Sequence, residues 1–452
     1  MKKTIYTCIT TLLLVYLGRP LLAQDKALSL TDALEIAEKG NKTIQAQLLE
    51  EIHATAITAE SKGALLPTIS GQLAYSHYFD RQTIFLPGYF AGTNKAVQDV
   101  AVGGKNAFNG MLSLYQPIFA PDLSRQRKTA FINEQIEFQK TAELKSKVAL
   151  QVSVSYLNIL IMNEQLTLLE QSLLRNVRSL NDARSLFTQG RALKSDTLRS
   201  FIEVENIRSS VSYLKNNKEV ALIELKRLLG MDESESIVLS DELEFSGQHD
   251  HYLLDDLLKT ATQNRKDFAI KQLLIDLQQK KKEAKVAELM PKLALIGQYQ
   301  VQAQADNLHL GDYTWPRTSF LGLQLSIPIF NGNRTRWQIK QADIKLKQEQ
   351  LRLDDFRAEI KTQLAAIISK WNEAIAQLEI QKTTVSSAEL NYQMNEDRFK
   401  NGLGSRLELT DADLALTQAR INRLRATYNL RMLYTEMQHS LGLLDLHSKT
   451  SH

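Results

Sequence analysis

The sequence has 452 residues, with 55 basic against 51 acidic side chains, 43% hydrophobic residues and 7% aromatic ones. That balance excludes a disordered chain, and it is too even for the basic field that holds nucleic acid. The length alone suggests two or three globular domains.

Lys2 and Lys3 open the chain, and an apolar stretch from Ile5 to Leu22 follows, closing on Ala23-Gln24. This pattern predicts a secretory signal peptide over residues 1–23. Cys8, the single cysteine, lies within it, so its removal excludes disulfides and thiolate metal sites in the mature chain. Loss of Lys2, Lys3 and Arg19 leaves 52 basic against 51 acidic residues, a nearly neutral protein. No later segment has the roughly 18 continuous apolar residues that a spanning helix needs. An exported chain of this kind is free in the periplasm, secreted, or built into an outer membrane as a β-barrel.

The remainder is written twice. Leu66-Pro67-Thr68 has a partner in Met290-Pro291-Lys292, and Tyr115-Gln116-Pro117-Ile118-Phe119 in Ser326-Ile327-Pro328-Ile329-Phe330. Phe187 and Gly190 recur as Phe399 and Gly402, and Leu229-Gly230 as Leu441-Gly442, at one offset of 212 residues. Each copy predicts an amphipathic helix, a strand opened by proline, a loop, and a second strand ending in Pro-Ile-Phe. A very long helix, a glycine turn and a returning helix follow. The first repeat is placed at 24–230, beginning near Leu28. A connector takes 231–250, the second repeat 251–442 and a tail 443–452.

Neither proline nor glycine occurs from Asp122 to Gln189 or from Asn333 to Asn401. These residues are the main helix breakers, so each stretch allows an unbroken helix of roughly 100 Å. Such helices pack side by side as coiled coils or α-barrels. Leu166, Leu169, Leu173, Val177, Leu180, Ala183 and Phe187 supply a seam at three- and four-residue steps.

The strands alternate with period two. Ile69, Gly71, Leu73, Tyr75 and His77 share one face; Phe108, Gly110, Leu112 and Leu114 share another. Leu293, Leu295, Gly297, Tyr299 and Val301 do the same in the second repeat, as do Leu321, Leu323, Leu325 and Ile327. Polar residues fill most of the alternate positions, the signature of outer-membrane strands. Each strand has a glycine near its middle (Gly71, Gly110, Gly297, Gly322), as a curved wall requires. Tyr75, Tyr78, Tyr115, Tyr299 and Phe320 are candidates for interfacial aromatic girdles; ordinary strand propensity accounts for each equally well. Four strands cannot close a barrel, and open edges are not tolerated in lipid. Several copies must therefore pool their strands.

The duplicated order, the Leu/Met-Pro openings, the Pro-Ile-Phe endings and Gly402-Leu-Gly-Ser-Arg-Leu-Glu-Leu-Thr-Asp-Ala412 together resemble the TolC family of outer-membrane efflux proteins, over essentially the whole mature chain. The resemblance implies a mainly helical fold with membrane β-structure: a homotrimer with one twelve-stranded β-barrel, continued by a long periplasmic α-helical barrel. It implies a channel rather than an enzyme, serving a tripartite efflux or type I secretion system. Its partners would be a periplasmic adaptor, an inner-membrane RND or ABC transporter, and outer-membrane lipid. It further implies an acidic periplasmic mouth at Glu408 and Asp411, with Asp196 as first-copy counterpart of Glu408. The turns holding Gly190, Arg191, Gly402 and Gly404 would be tips that meet the adaptor. Arg199 stands where the first-copy counterpart of Asp411 would be, so a symmetric acidic ring is incomplete. Acids at a helix start are also common because they suit the helix dipole.

The eight histidines lack zincin spacing, and neither a phosphate loop nor a nucleophile elbow is present. No cofactor is expected. Two other functions fit long helical hairpins: a periplasmic adaptor and a structural coiled-coil protein of the envelope. The longer loop, Asp80 to Lys105, is expected on the cell exterior, where outer-membrane barrels carry their long loops.

Overall fold

The computed structural model describes residues 26–244 and 252–446. The expected signal peptide, the end of the connector (245–250) and the last residues of the tail lie outside them.

Each repeat opens with two short helices in place of the single one expected. In the first they are α1 (Leu30–Gly40) and α2 (Lys42–Gly63); in the second they are α5 (Leu254–Asn264) and α6 (Lys266–Ala287). The break falls at Asn41 and at Arg265, which adopt nearly the same extended backbone. Asn41 makes the break favourable. Its side-chain carbonyl accepts from Thr43 and Ile44 N–H groups at 2.9 and 3.2 Å, and its amide donates to the Leu228 carbonyl at 2.8 Å. A capping asparagine thus satisfies donors that a helix start leaves open.

The breaker-free stretches are single helices: α3 (Pro121–Thr188, 68 residues) and α7 (Arg334–Lys400, 67 residues). Each turns at a glycine and returns as α4 (Lys194–Leu229) or α8 (Arg406–Ser440). No helix among the described residues is long and apolar enough to cross a membrane.

The chain divides into two compact units. The first takes the described residues up to Leu49, then Gln139–Ile270, then those from Asp354 onward. Its larger core gathers Leu28, Leu34, Ile44, Tyr156, Leu225 and Leu229, all fully buried. Each such leucine removed from water stabilises by about 1.5–3 kcal/mol. A two-stranded parallel ribbon, β1 (Lys26–Leu28) with β6 (Ile237–Leu239), closes over it. The Tyr156 hydroxyl donates to the Leu28 carbonyl at 2.8 Å. Trp371, Leu378, Ala426 and Leu430 form a second, smaller core.

The second unit, Glu50–Phe138 and Lys271–Leu353, holds the main sheet. This is antiparallel, in the order β2 (Thr68–His77), β5 (Asn106–Phe119), β7 (Lys292–Ala305), β8 (Arg317–Ser326). The segment between β2 and β5, expected as a plain loop, contains a hairpin of β3 (Gln82–Pro87) and β4 (Val97–Val102). The Lys292 ammonium donates to the buried Asp122 carboxylate at 2.5 Å, tying the start of β7 to the start of α3.

Candidate functional site

Two places in the molecule have the chemistry a conduit needs. One is the sheet, the other the turn end of the two hairpins.

In the sheet, register decides which side chains share a face. Ile69 lies opposite Leu114, Leu114 opposite Gly297, and Gly297 opposite Leu321. The four apolar sets read from alternation therefore fall on one face. A neighbouring leucine side chain covers each of Gly71, Gly110 and Gly297, at 3.1–3.3 Å from where a Cβ would stand. Gly322 lies across from Ile296, on the opposite face. Among the described residues nothing covers the apolar face: Ile69, Leu73, Leu321 and Leu323 are 67–91% exposed. Water would make such a face costly, and hydrocarbon would not.

The five girdle candidates do not share that face. Tyr75 and Tyr299 are on it. Tyr115 pairs with Thr68 and Phe320 with Gln298, so both are on the polar face. Tyr78 stands just past the end of β2, its N–H donating to the Lys105 carbonyl. The aromatic cluster that does form is at the loop end. Phe108 lies 4.8 Å from Tyr75, 5.9 Å from Tyr313 and 6.2 Å from Trp315, centroid to centroid. Tyr313 and Trp315 are in the β7–β8 connection, where alternation gives no guide. Their sequence signal was composition alone, a Tyr and a Trp beside Pro316.

At the turn end the two repeats have the same geometry. Gly190 and Gly402 have φ of 71° and 74°, in the left-handed region that glycine enters without a Cβ penalty. Their N–H groups donate to Phe187 and Phe399 carbonyls at 2.9 and 3.0 Å. The next N–H groups, of Arg191 and Leu403, reach Leu186 and Arg398 carbonyls at 2.8 Å. Gly190, Arg191 and Gly402 are exposed, and Gly404 is half-buried against the Arg398–Phe399 backbone.

Of the three expected acids, two serve their own helix starts and the third does not. Glu408 accepts from its own N-cap, Ser405 N–H, at 3.2 Å, while the Ser405 hydroxyl accepts from Glu408 N–H. Its contact to Arg398 is 3.7 Å and half-exposed, a pair worth little in water. Asp196 likewise accepts from Leu193 N–H at 3.2 Å. Asp411 is exposed.

The carboxylate that joins the two hairpins is a fourth one, Asp413, 5% exposed. It accepts from Arg175 Nε at 2.5 Å, from the Asn176 amide at 2.8 Å and from the Ser172 hydroxyl at 3.3 Å. Arg175 also donates to the Thr417 hydroxyl at 3.2 Å. These contacts bind α3 to α8, with Lys215–Glu170 at 2.8 Å linking α4 to α3 and Arg420–Glu389 at 2.8 Å linking α8 to α7. Burial pushes Tyr392, which faces Arg175, above the ordinary phenol range, with Glu396 and Asp413 adding to it.

One turn from the tip, Arg406 donates to the Ser179 carbonyl and stacks 4.9 Å over the Phe399 ring. Burial lowers its pKa, and Asp182 and Asp196 act against that. These side chains line a cleft of about 810 Å³, with Arg175, Arg178, Arg191, Lys400 and Arg406 against Asp182, Glu396 and Asp413. This cleft is therefore mixed in charge and weighted to the basic side.

Asp413 was legible in principle. In the first half of α8 the buried positions are Ala412, Asp413, Leu416, Thr417 and Ala419, a stripe with one carboxylate on it. A charge on the apolar stripe of a helix needs a partner.

A sheet with one lipid-type face, its edges at β2 and β8 unpaired among the described residues, in a chain that also has two helical hairpins, defines a piece of a pooled membrane channel. Residues 257–443 match the family model described as outer membrane efflux protein. Over 428 residues the chain is 22% identical to the alkaline protease secretion protein AprF of Pseudomonas aeruginosa, covering 93% of this chain and 85% of the relative. The solved outer-membrane channel OprN has the same fold, with a TM-score of 0.75 at 15% identity over 93% of this chain and 91% of its own. The open-state outer membrane channel MtrE of Neisseria gonorrhoeae gives 0.74 at 14% identity, covering 93% and 91%. The second half of the chain thus matches the outer membrane efflux protein model, and the fold over most of the chain is that of solved outer-membrane channels.

Proposed function

We propose that the chain is one of three identical subunits of an outer-membrane exit duct, which passes its cargo from an inner-membrane transporter to the cell exterior. The observation that carries this is the sheet: four strands whose apolar face is uncovered, and whose edges at β2 and β8 are unpaired, among the described residues. Lipid does not tolerate free strand edges, so copies must share them. Three copies supply twelve strands, and their hairpins supply the wall of a helical tube. A periplasmic adaptor and an RND or ABC transporter complete the assembly.

Two systems use such ducts, drug or metal efflux and type I secretion. The likeness to a protease secretion protein over most of both chains favours protein cargo. Glu408, Asp411 and Asp196 are assigned to the periplasmic mouth. Threefold repetition brings like carboxylates round one axis, an arrangement that favours cations. The tips at Gly190, Arg191, Gly402 and Gly404 are assigned to the adaptor contact, and the exposure of Gly190, Arg191 and Gly402 supports it.

Fractionation tests the reading. The protein should sediment with outer membranes and run as a trimer on gels until heated. A monomer folded without detergent overturns it. Comparing the secretome and drug sensitivity of a deletion strain then separates the two cargo classes.

A further inference from the structure

The two repeats contain a rule for joining copies. Thr68 lies opposite Tyr115 in the first repeat, and Lys292 opposite Ser326 in the second. Moving β2 by 224 residues onto β7, and β5 by 211 onto β8, carries all ten pairs of the first hairpin onto the ten of the second. Tyr75–Phe108, for example, becomes Tyr299–Ser319. The sheet therefore has two kinds of interface, one within each repeat and one between repeats. The second kind occurs once in the chain, where β5 meets β7.

The second repeat lacks that neighbour. β5 continues in pairing through Phe119, which lies opposite Leu293. Its equivalent β8 stops at Ser326, and the matching residues 327–330 leave the ladder. Ile329 and Phe330 are 95% and 79% exposed. The same Pro-Ile-Phe sequence is strand where a partner is present and irregular where it is missing. Local propensity cannot explain the difference, because the two sequences are alike.

Resting on the pooled barrel above, we propose that β8 of one copy pairs with β2 of the next in the register that β5 and β7 already show. The same two shifts carry Tyr115–Ile296 to Ser326–Gln72, and Leu114–Gly297 to Leu325–Leu73 of the next copy. They carry Leu112–Tyr299 to Leu323–Tyr75, and Phe119–Leu293 to Phe330–Ile69. The faces agree without adjustment: Leu323 and Leu325 join Leu73 and Tyr75 on the apolar side, and Ser326 joins Gln72 on the polar side. A slip of one residue would reverse every side chain of the strand. A slip of two keeps the faces, so an experiment must separate it.

Paired cysteines in a Cys8→Ser background do so. Adjacent positions alternate between hydrogen-bonded and closer non-hydrogen-bonded pairs, so both Ser326→Cys with Gln72→Cys and Leu325→Cys with Leu73→Cys are made. The off-register pairs are Ser326→Cys with Ser70→Cys and with Ala74→Cys. Each variant is first checked for heat-modifiable trimers in outer membranes, then oxidised with copper phenanthroline and run boiled without reductant. At least one on-register pair should give a covalent ladder ending at the trimer, and the off-register pairs much less. Stronger linkage through Ser70 or Ala74 overturns the register and leaves the pooled barrel standing. Absence of linkage in every pair, with each protein folded, overturns the pooled barrel itself.

Discussion

Asp413 is almost out of water, and among the described residues Arg175 is the cation paired with it across the α3–α8 contact. Removing one partner of such a pair leaves a buried charge that the neutral Asn176 and Ser172 donors solvate in part. Arg175→Met should therefore weaken the tip by about 2–3 kcal/mol, below the cost for a fully enclosed pair because Arg175 itself is 27% exposed. Hydrogen exchange would register this as faster opening around residues 172–183 and 406–417, with the larger core near Tyr156 unchanged. Protection at the tip unchanged by the substitution would mean that the bridge contributes nothing. Glu408 is a different case, since it serves its own helix start. Its sequence position was conspicuous, but its hydrogen bonds are local.

Among the elements, the strands of the main sheet show how far alternation can be trusted. Period two assigned each strand an apolar face, and the register placed those faces together. Leu112 on β5 and its neighbour Ser113 then make a matched pair for experiment, one on each side of the wall. Leu112→Lys puts an ammonium on the lipid side at a cost of about 2–4 kcal/mol near mid-depth, while Ser113→Lys faces the other way. We expect the first to lower the yield of heat-modifiable trimer and the second to leave it near that of the unchanged protein. Similar yields would mean that the faces are assigned wrongly. The long helices were legible for a similar reason, because the absence of proline and glycine is a local property. The breaks at Asn41 and Arg265 were not legible. Asn41 ends one helix and starts another partly by holding the Leu228 carbonyl, 187 residues away.

For the whole molecule, the mouth is the feature most dependent on assembly. One subunit offers a tip cleft with five basic side chains against three acidic ones, yet repetition about an axis selects only those groups that face it. Glu408→Gln with Asp411→Asn should move the reversal potential in a salt gradient towards that of a non-selective pore. Asp411→Asn alone separates the mouth from the helix cap, since Asp411 is exposed. A reversal potential unmoved by the double substitution would reject the cation site.

By itself the sequence determined the duplication, the unbroken helices, the glycine turns and the two-faced strands. Each follows from the order of side chains along a few turns or a few pleats, which the chain states directly. Only the tertiary structure decided which carboxylate is buried between hairpins, where the short helices break, which aromatics gather at the loop end, and where β8 leaves its ladder. Those depend on partners roughly 200 residues distant along the chain. Burial and hydrogen bonding are properties of the neighbourhood, and no local pattern specifies a neighbourhood that folding has yet to bring together.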